Sequence, residues 1–418
     1  MRTARNAVLA VSALAPDESA AKFMRFGRGQ RRITGRIARS AATLDRTRPT
    51  VWIHAASLGE FGIARPVIRG LKEQTGCNIV VTFFSPTGYE ALTRHPGDTD
   101  RVYYLPLDTR RNARRFLDAV KPDCAVFMVS EYWPNFLTEL RRRDIPTFLV
   151  SAIIRDNGPF FKWYGSLFRR SLRCFTRIFT LDPRSVENLG RLGIDSATVN
   201  GDPLFDNVSL VAATPWTDPV IENYAAGRKV FLAGSVHVDK DMEIVCSLCN
   251  SRKGDTPFVI APHEITPGAI EALRSGIKGE VRLYSECDGA TDFSATRALI
   301  IDNVGSLAYI YRYAGWAYVG GGFTRRLLHS VIEPVVYGIP VAYGPNIERK
   351  VVASTMVRLG LGTVVTDAAG LERWFASLRD DHGRLAYIAK KARKFVEDNS
   401  GATPRIINHI ARTICGKN

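Results

Sequence analysis

Short β-rich runs alternate with helix-spaced runs along nearly the whole chain, and this alternation limits the fold more than any other feature. Between positions 50 and 200 the β-type runs are Val51 to His54, Asn78 to Phe83, Arg101 to Leu105, Asp123 to Val129, Thr147 to Ser151 and Arg177 to Leu181. Helix-like stretches between successive strands argue for a parallel sheet covered by helices. A break follows at 211–228, where Ala-Ala-Thr-Pro-Trp-Thr-Asp-Pro supplies turn and linker chemistry. The rhythm then restarts with Lys229 to Gly234, Pro257 to Ala261, Glu280 to Leu283, Leu299 to Asp302, Trp316 to Val319, Val341 to Tyr343 and Gly362 to Val365, and a polar helix is expected near Tyr387 to Asp398. The chain has 418 residues, against about 100–200 for an ordinary domain. The economical architecture is α/β, with two doubly wound Rossmann-like domains facing a cleft. Their expected limits are 50–210 and 229–418.

Charge narrows the partners. A formal charge of +16 on a chain with 45% hydrophobic residues describes a globular protein that meets something anionic: nucleic acid, an acidic membrane face or a phosphorylated substrate. Lys22, Arg25, Arg28, Arg31, Arg32, Arg36 and Arg39 crowd the N-terminal stretch, interleaved with Phe23, Met24, Phe26, Ile33 and Ile37. Residues 1–49 therefore read as a basic, membrane-proximal segment, with a solvated basic helix as the alternative and three glycines weakening any helix. No run of about 18 apolar residues is present, so no transmembrane helix is expected. The apolar run Ala7 to Ala15 is too short to span and lacks a convincing cleavage pattern. Seven scattered cysteines suit a reducing compartment, and Cys246 and Cys249, without a second pair, are expected to be helical neighbours in a core. The basic residues show no regular aromatic interleaving and no nucleic-acid module, so nucleic acid is not expected as a partner.

The most informative local motif is Ser57-Leu58-Gly59-Glu60. It sits on a glycine turn between the strand ending at His54 and a helix over Ile63 to Lys72, so Glu60 falls at the carboxyl end of a strand. The helix dipole is expected to keep Glu60 ionised, able to accept a proton from an attacking hydroxyl. The alternative is a helix-start acid that only complements the dipole.

In the second half, Gly320, Gly321 and Gly322 follow a strand, where a glycine run lets backbone approach a phosphate and offers N–H donors, or simply forms a turn. The run does not fit Gly-x-Gly-x-x-Gly, so a dinucleotide fold is not supported. Downstream, Ser330 and Glu333 open a helix before a Gly-x-Pro turn into a strand. An acid placed there can clasp two ribose hydroxyls, or serve only as a helix-start Glu. Together with Gly344-Pro345-Asn346, the constellation looks like a nucleotide-sugar pocket of the GT-B glycosyltransferase type. Ala233 to His237 and Ala261 to Ile265 also lie at strand carboxyl ends, which makes Ser235 and His263 candidate ligand contacts; a lone loop histidine is otherwise a surface residue.

The co-linear segments His54 to Glu60, Thr82 to Gly88, Tyr104 to Asp108, Ser130 to Asn135, Gly201 to Asp206 and Glu333-Pro334 resemble those of the 3-deoxy-D-manno-octulosonic acid (Kdo) transferases of lipopolysaccharide assembly, over nearly the whole chain from about Thr50. The resemblance implies an inverting GT-B enzyme that moves Kdo from the donor CMP-Kdo to a sugar hydroxyl of a lipid A precursor (lipid IVA), working peripherally at the cytoplasmic face of the inner membrane. It makes Glu60 the general base and Glu131 a second acid on the acceptor side. Ser57 and Gly59 accompany Glu60 as substrate contacts, while Ser235, His263, Gly320 to Gly322, Ser330 and Glu333 form the CMP-binding side. Ser330 stands where the family commonly carries Asn, and Pro203-Leu204 replace a usual cation. No metal and no cofactor are expected, because no Asp-x-Asp or His-rich run stands out. The rival readings are a GT-B transferase using a UDP-sugar, and a noncatalytic basic membrane-binding protein.

Overall fold

The computed structural model describes residues 24–251, 256–323, 328–348 and 350–416. Two compact units divide them, one formed by 24–207 with 399–416 and the other by 208–398.

The first unit is built on a seven-stranded, wholly parallel sheet of β1 (Thr50–His54), β2 (Asn78–Phe83), β3 (Arg101–Tyr104), β4 (Cys124–Met128), β5 (Thr147–Ala152), β6 (Arg177–Thr180) and β7 (Ala197–Val199). Their order is β3-β2-β1-β4-β5-β6-β7, so the winding reverses between β1 and β4. Six of these strands lie where the alternation places them. The seventh, β7, is short and partly exposed at the edge, and it carries no apolar run to announce it.

Side chains alternate across the sheet, so each central strand feeds two cores. Trp52, Val80, Ala125, Phe127 and Leu149 enter one face. Val51, Ile53, Val81, Val126 and Val150 enter the other, which Ile406, Ile407, Ile410 and Ile414 of the last helix, Ala402–Cys415, help to close. That helix also packs on the helix Leu58–Thr75, where a side chain on Gly70 would overlap Ile407. The limits drawn from strand rhythm ran 229–418 together; by compactness the chain from 399 onward groups with the first unit.

The basic N-terminal stretch has two different sides. Phe26, Ile33 and Ile37 are buried in the first core, with Phe26 against Phe84 and Tyr104 at ring-centroid distances of 4.6 and 5.7 Å. Arg25, Arg28, Arg31, Arg32, Arg36 and Arg39 stay exposed. Three of the apolar residues expected to face a membrane are thus core residues, because an amphipathic helix buries its stripe against protein as readily as against lipid. Ala7 to Ala15, Lys22 and Phe23 lie outside the described residues. Among the described residues, no helix is long and apolar enough to cross a membrane.

The second unit repeats the scheme with β8 (Val230–Val236), β9 (Phe258–Pro262), β10 (Glu280–Leu283), β11 (Thr296–Ile300), β12 (Ala314–Val319), β13 (Val341–Tyr343) and β14 (Gly362–Val364), all parallel, in the order β10-β11-β9-β8-β12-β13-β14. Winding reverses between β8 and β12. Cys246 and Cys249 are buried side by side in the helix Lys240–Ser251, and burial raises their thiols to about 12 and about 11.

The Gly201 to Asp206 segment has a structural task. The Asp206 carboxylate accepts the N–H groups of Gly401 and Thr403 at 2.5 and 2.6 Å, capping the last helix from a distant part of the chain. Replacing Asp206 by Ala is expected to destabilise the first unit by about 1–2 kcal/mol, or roughly 3–6 °C in its thermal midpoint, and Asp206→Asn by less. An unchanged midpoint in calorimetry would show that the isoleucines alone hold the helix.

Candidate functional site

An open α/β sheet leaves a crevice beyond its carboxyl edge where winding reverses. In the first unit this point lies between β1 and β4, and the segments that leave those strands carry the two candidate acids. Ser57 caps the helix Leu58–Thr75 from an extended backbone, its Oγ accepting the Glu60 N–H at 3.4 Å. The Glu60 carboxylate turns back to accept the Ala56 N–H at 2.6 Å, a variant of the reciprocal capping arrangement. Gly59 is exposed in the first helical turn, and a Cβ there would meet only Ser57 Oγ at 3.9 Å, so packing does not demand glycine.

Burial pushes the Glu60 carboxyl up to about 7, and the Glu131 charge adds to the rise against the backbone N–H groups of Ala56 and Ser57. The helix dipole alone would leave the side chain firmly ionised, as expected above. Desolvation together with a second carboxylate outweighs it.

Glu131 follows β4 through Val129, whose φ of +60° is strained for a β-branched residue and costs on the order of 1–3 kcal/mol. Glu131 Oε2 accepts from Trp133 Nε1 at 2.7 Å and faces His54 Nε2 at 3.1 Å. His54 in turn belongs to a wider network. Trp52 Nε1 donates to Thr82 Oγ1 at 2.9 Å, and His54 Nδ1 lies 2.9 Å from the same oxygen and 3.1 Å from the Thr82 carbonyl. A carboxylate oxygen can only accept, so His54 Nε2 is the donor toward Glu131. Trp52, Thr82 and His54 are fully buried, which makes this chain a rigid mount for the carboxylate. Helix Pro134–Arg142 has no side-chain cap of its own, and Asp108 supplies one by accepting the N–H groups of Asn135 and Phe136, each at 3.2 Å. Sequence reasoning singled out Glu131 but gave no role to His54, Thr82 or Trp133; the available signal was a histidine closing an otherwise apolar strand.

A second hollow of the first unit, about 440 Å³, is lined by Arg110, Arg114, Arg142 and Arg170 with Asp108 and Glu139. Arg142 and Arg143 hold the Glu139 carboxyl down to about 2, and the other guanidinium groups leave the hollow cationic.

In the second unit the reversal point lies between β8 and β12, and the remaining candidates gather around it. Ser235, at the end of β8, has φ +55°. Gly320 donates its N–H to the Gly234 carbonyl at 2.8 Å, and Gly321 donates to Asp241 Oδ2 at 2.7 Å. Two of the three amides expected to meet a phosphate are thus engaged within the unit. The glycines answer a steric demand instead: Gly321 and Gly322 have φ of +94° and +88°, and a Cβ on Gly320 would overlap the Ser235 carbonyl. Asp241 was not foreseen. Buried at the start of the helix Lys240–Ser251, it also accepts the Tyr318 hydroxyl at 2.6 Å and the His237 N–H at 3.4 Å, tying β12 to the loops after β8 and β12.

His263 follows β9 and donates its N–H to the Val236 carbonyl at 2.9 Å. Its ring lies 4.4 Å from that of His237 and 4.3 Å from that of His329, centroid to centroid. Burial, then the neighbouring His263 and His237, push His329 down to about 3. Glu333 stands in the short helix Ile332–Val335; burial raises its carboxyl to about 7, with the Ser330 hydroxyl acting in the opposite direction. Glu333 also adds to the raised pKa of the buried Tyr311, whose hydroxyl abuts Gly234 at the end of β8. Ser57, Gly59, Glu60 and Glu131 thus belong to one unit, and Ser235, His263, Gly320 to Gly322, Ser330 and Glu333 to the other.

Residues 19–207 match the family model described as 3-deoxy-D-manno-octulosonic-acid transferase (kdotransferase). The 3-deoxy-D-manno-octulosonic acid transferase of Bordetella pertussis is 26% identical over 383 residues, covering 86% of each chain, and that of Chlamydophila psittaci is 26% identical over 388 residues, covering 88% of this chain and 86% of that one. Among solved structures, a glycosyltransferase from Rickettsia africae superposes with a TM-score of 0.55 at 13% identity, covering 89% of this chain and 100% of that one. A UDP-GlcNAc 2-epimerase from Neisseria meningitidis bound to UDP-GlcNAc gives a TM-score of 0.60 at 15% identity, covering 88% and 100%. These likenesses establish the fold, two Rossmann-like domains of the GT-B kind. With the family domain in its first half and similarity to these enzymes along most of its length, the chain is a relative of the Kdo transferases.

Proposed function

We propose that the protein is a glycosyltransferase that moves Kdo from CMP-Kdo to a hydroxyl of a lipid A precursor, lipid IVA, with inversion and with Glu60 as general base. The observation that carries this reading is the Glu60–Glu131 pair at the first unit's reversal point. A carboxyl raised to about 7 is half ionised near neutral pH, where a base both holds its charge and binds a proton firmly. Glu131 raises it, and His54 and Trp133 hold Glu131 in place.

In this reaction the acceptor hydroxyl gives its proton to Glu60 as its oxygen bonds to the anomeric carbon of Kdo. The bond from that carbon to the CMP phosphate oxygen breaks on the opposite face, and CMP leaves with the electron pair. Glu333 is assigned to the ribose hydroxyls, which favour its ionised form by donating to it. Ser235, Ser330, His263 and the glycine loop are assigned to the remainder of the donor, and Ser57 and Gly59 to the acceptor side with Glu60. The Arg-lined hollow suits the phosphates of a bisphosphorylated lipid, and the exposed N-terminal arginines suit an anionic membrane at the cytoplasmic face. Residues 1–49 would then be membrane-proximal through charge, ahead of two domains that begin at about 50 and 229, with the chain from 399 returning to the first.

The test is incubation with CMP-Kdo and tetraacylated lipid A precursor, followed by mass spectrometry of the lipid and assay of the nucleotide released. Addition of Kdo with CMP release is expected; Glu60→Gln should lose about 10²–10⁴-fold in rate while still binding CMP. Unchanged transfer in that variant would refute the base assignment, and release of UDP from a UDP-sugar would refute the donor.

The pH dependence follows from the same pair. Transfer should fall about tenfold per unit below about pH 7, and Glu131→Gln should move that limb to lower pH. Stability gives a second check. The folded chain binds the Glu60 proton more tightly than the unfolded chain, so Glu60 ionisation penalises folding increasingly as pH rises from about 4.5 to about 7. Glu60→Gln is expected to stabilise the first unit at pH 8 by about 1–3 kcal/mol and to be nearly neutral at pH 4.5. Equal effects at both pH values in chemical denaturation would contradict the raised carboxyl.

A further inference from the structure

Three histidines far apart in sequence meet at the carboxyl edge of the second sheet. His237 follows β8, His263 follows β9 and His329 follows the glycine loop after β12. One ligand nitrogen from each lies within 4.8 Å of the other two, and His237 Nε2 is 3.0 Å from His329 Nε2. Zinc bound at about 2.0–2.1 Å by three imidazoles in tetrahedral geometry sets their nitrogens about 3.4 Å apart, so the His237–His329 pair must open by about 0.4 Å and the widest pair close by up to about 1.4 Å.

The backbone holds these rings in place. The His237 N–H is held by Asp241 at 3.4 Å, the His263 N–H by the Val236 carbonyl at 2.9 Å and the His329 N–H by the Gly320 carbonyl at 3.2 Å. Two of the flanking segments carry positive-φ backbone, Ser235 at φ +55° and Gly321 at φ +94°, the first of them strained.

We propose that His237, His263 and His329 form a three-histidine site for a divalent transition metal of the zinc class, with a coordination position left open. Three imidazoles with no carboxylate among them disfavour magnesium and calcium, which require oxygen ligands, and suit zinc or cobalt. Three protein ligands are also the number found where zinc keeps a position for an exchangeable group. Three neutral imidazoles leave the charge of a dication uncompensated, which favours an anionic oxygen as the fourth ligand. A donor phosphate belongs to that class; this clause rests on the nucleotide-sugar reading above, whereas the metal site itself does not. No metal was expected, because positions 237, 263 and 329 form no run, and only the parallel sheet brings them to one edge.

The experiment uses the full chain, stripped with a chelator, dialysed and titrated with cobalt(II) at pH 7.5. One equivalent should bind with the visible d–d absorption of tetrahedral cobalt, and zinc should displace it. His329→Ala and His263→Ala should each lose the band and at least about 10²-fold in affinity. His263 is exposed, so its variant is expected to fold, as circular dichroism would verify. The Cys246→Ser, Cys249→Ser double variant should leave the band unchanged. Failure to bind stoichiometric cobalt or zinc would overturn the site, as would binding that survives both histidine variants or vanishes with the cysteines. CMP should shift the cobalt band; a loaded site whose band CMP leaves unmoved would overturn the phosphate clause alone, and absent transfer with intact metal binding would fault only the donor reading.

Discussion

Parallel pairing is the constraint on which the other features depend. It places the carboxyl end of every strand on one edge of each sheet, and the reversal of winding between β1 and β4, and between β8 and β12, leaves those ends uncovered by a crossover. Residues with little else in common therefore collect there. In the first unit they are two glutamates from different connections; in the second, a glycine loop, a buried aspartate and three histidines.

What happens at those edges is governed by burial of charge. A carboxylate brought out of water must be paired, hydrogen-bonded or protonated. Glu131 is met by two ring N–H donors, while Glu60 has backbone donors but faces Glu131, and so its proton is held to about neutral pH. Asp241 takes three donors and becomes a knot between loops. Burial raises both the Glu60 and the Asp241 carboxyls; Asp241 commits its oxygens to three donors within the unit, whereas Glu60 has a second carboxylate adding to its rise.

Much of this architecture was legible because strand runs such as Asn78 to Phe83 are uniformly apolar and regularly interrupted. β7 was not, since a short, half-exposed edge strand has no pattern to show. The apolar spacing of Ile406, Ile407, Ile410 and Ile414 marks a helix but not its partner, and the partner is the first sheet. Likewise the position of Glu60 after a strand could be read from the motif, but its proton affinity could not, because Glu131 lies far away in sequence. The apolar residues Phe26, Ile33 and Ile37 show the same limit: amphipathicity fixes that a face is buried, not what buries it.

The central claim is that burial and a neighbouring carboxylate tune Glu60 to neutral pH. Carbon-13 NMR titration of the Glu60 side-chain carboxyl, in the native chain and in Glu131→Gln, measures this without substrate. The account predicts a midpoint near 7 in the native chain and a lower one in the variant. A midpoint near 4.5 in both would contradict it.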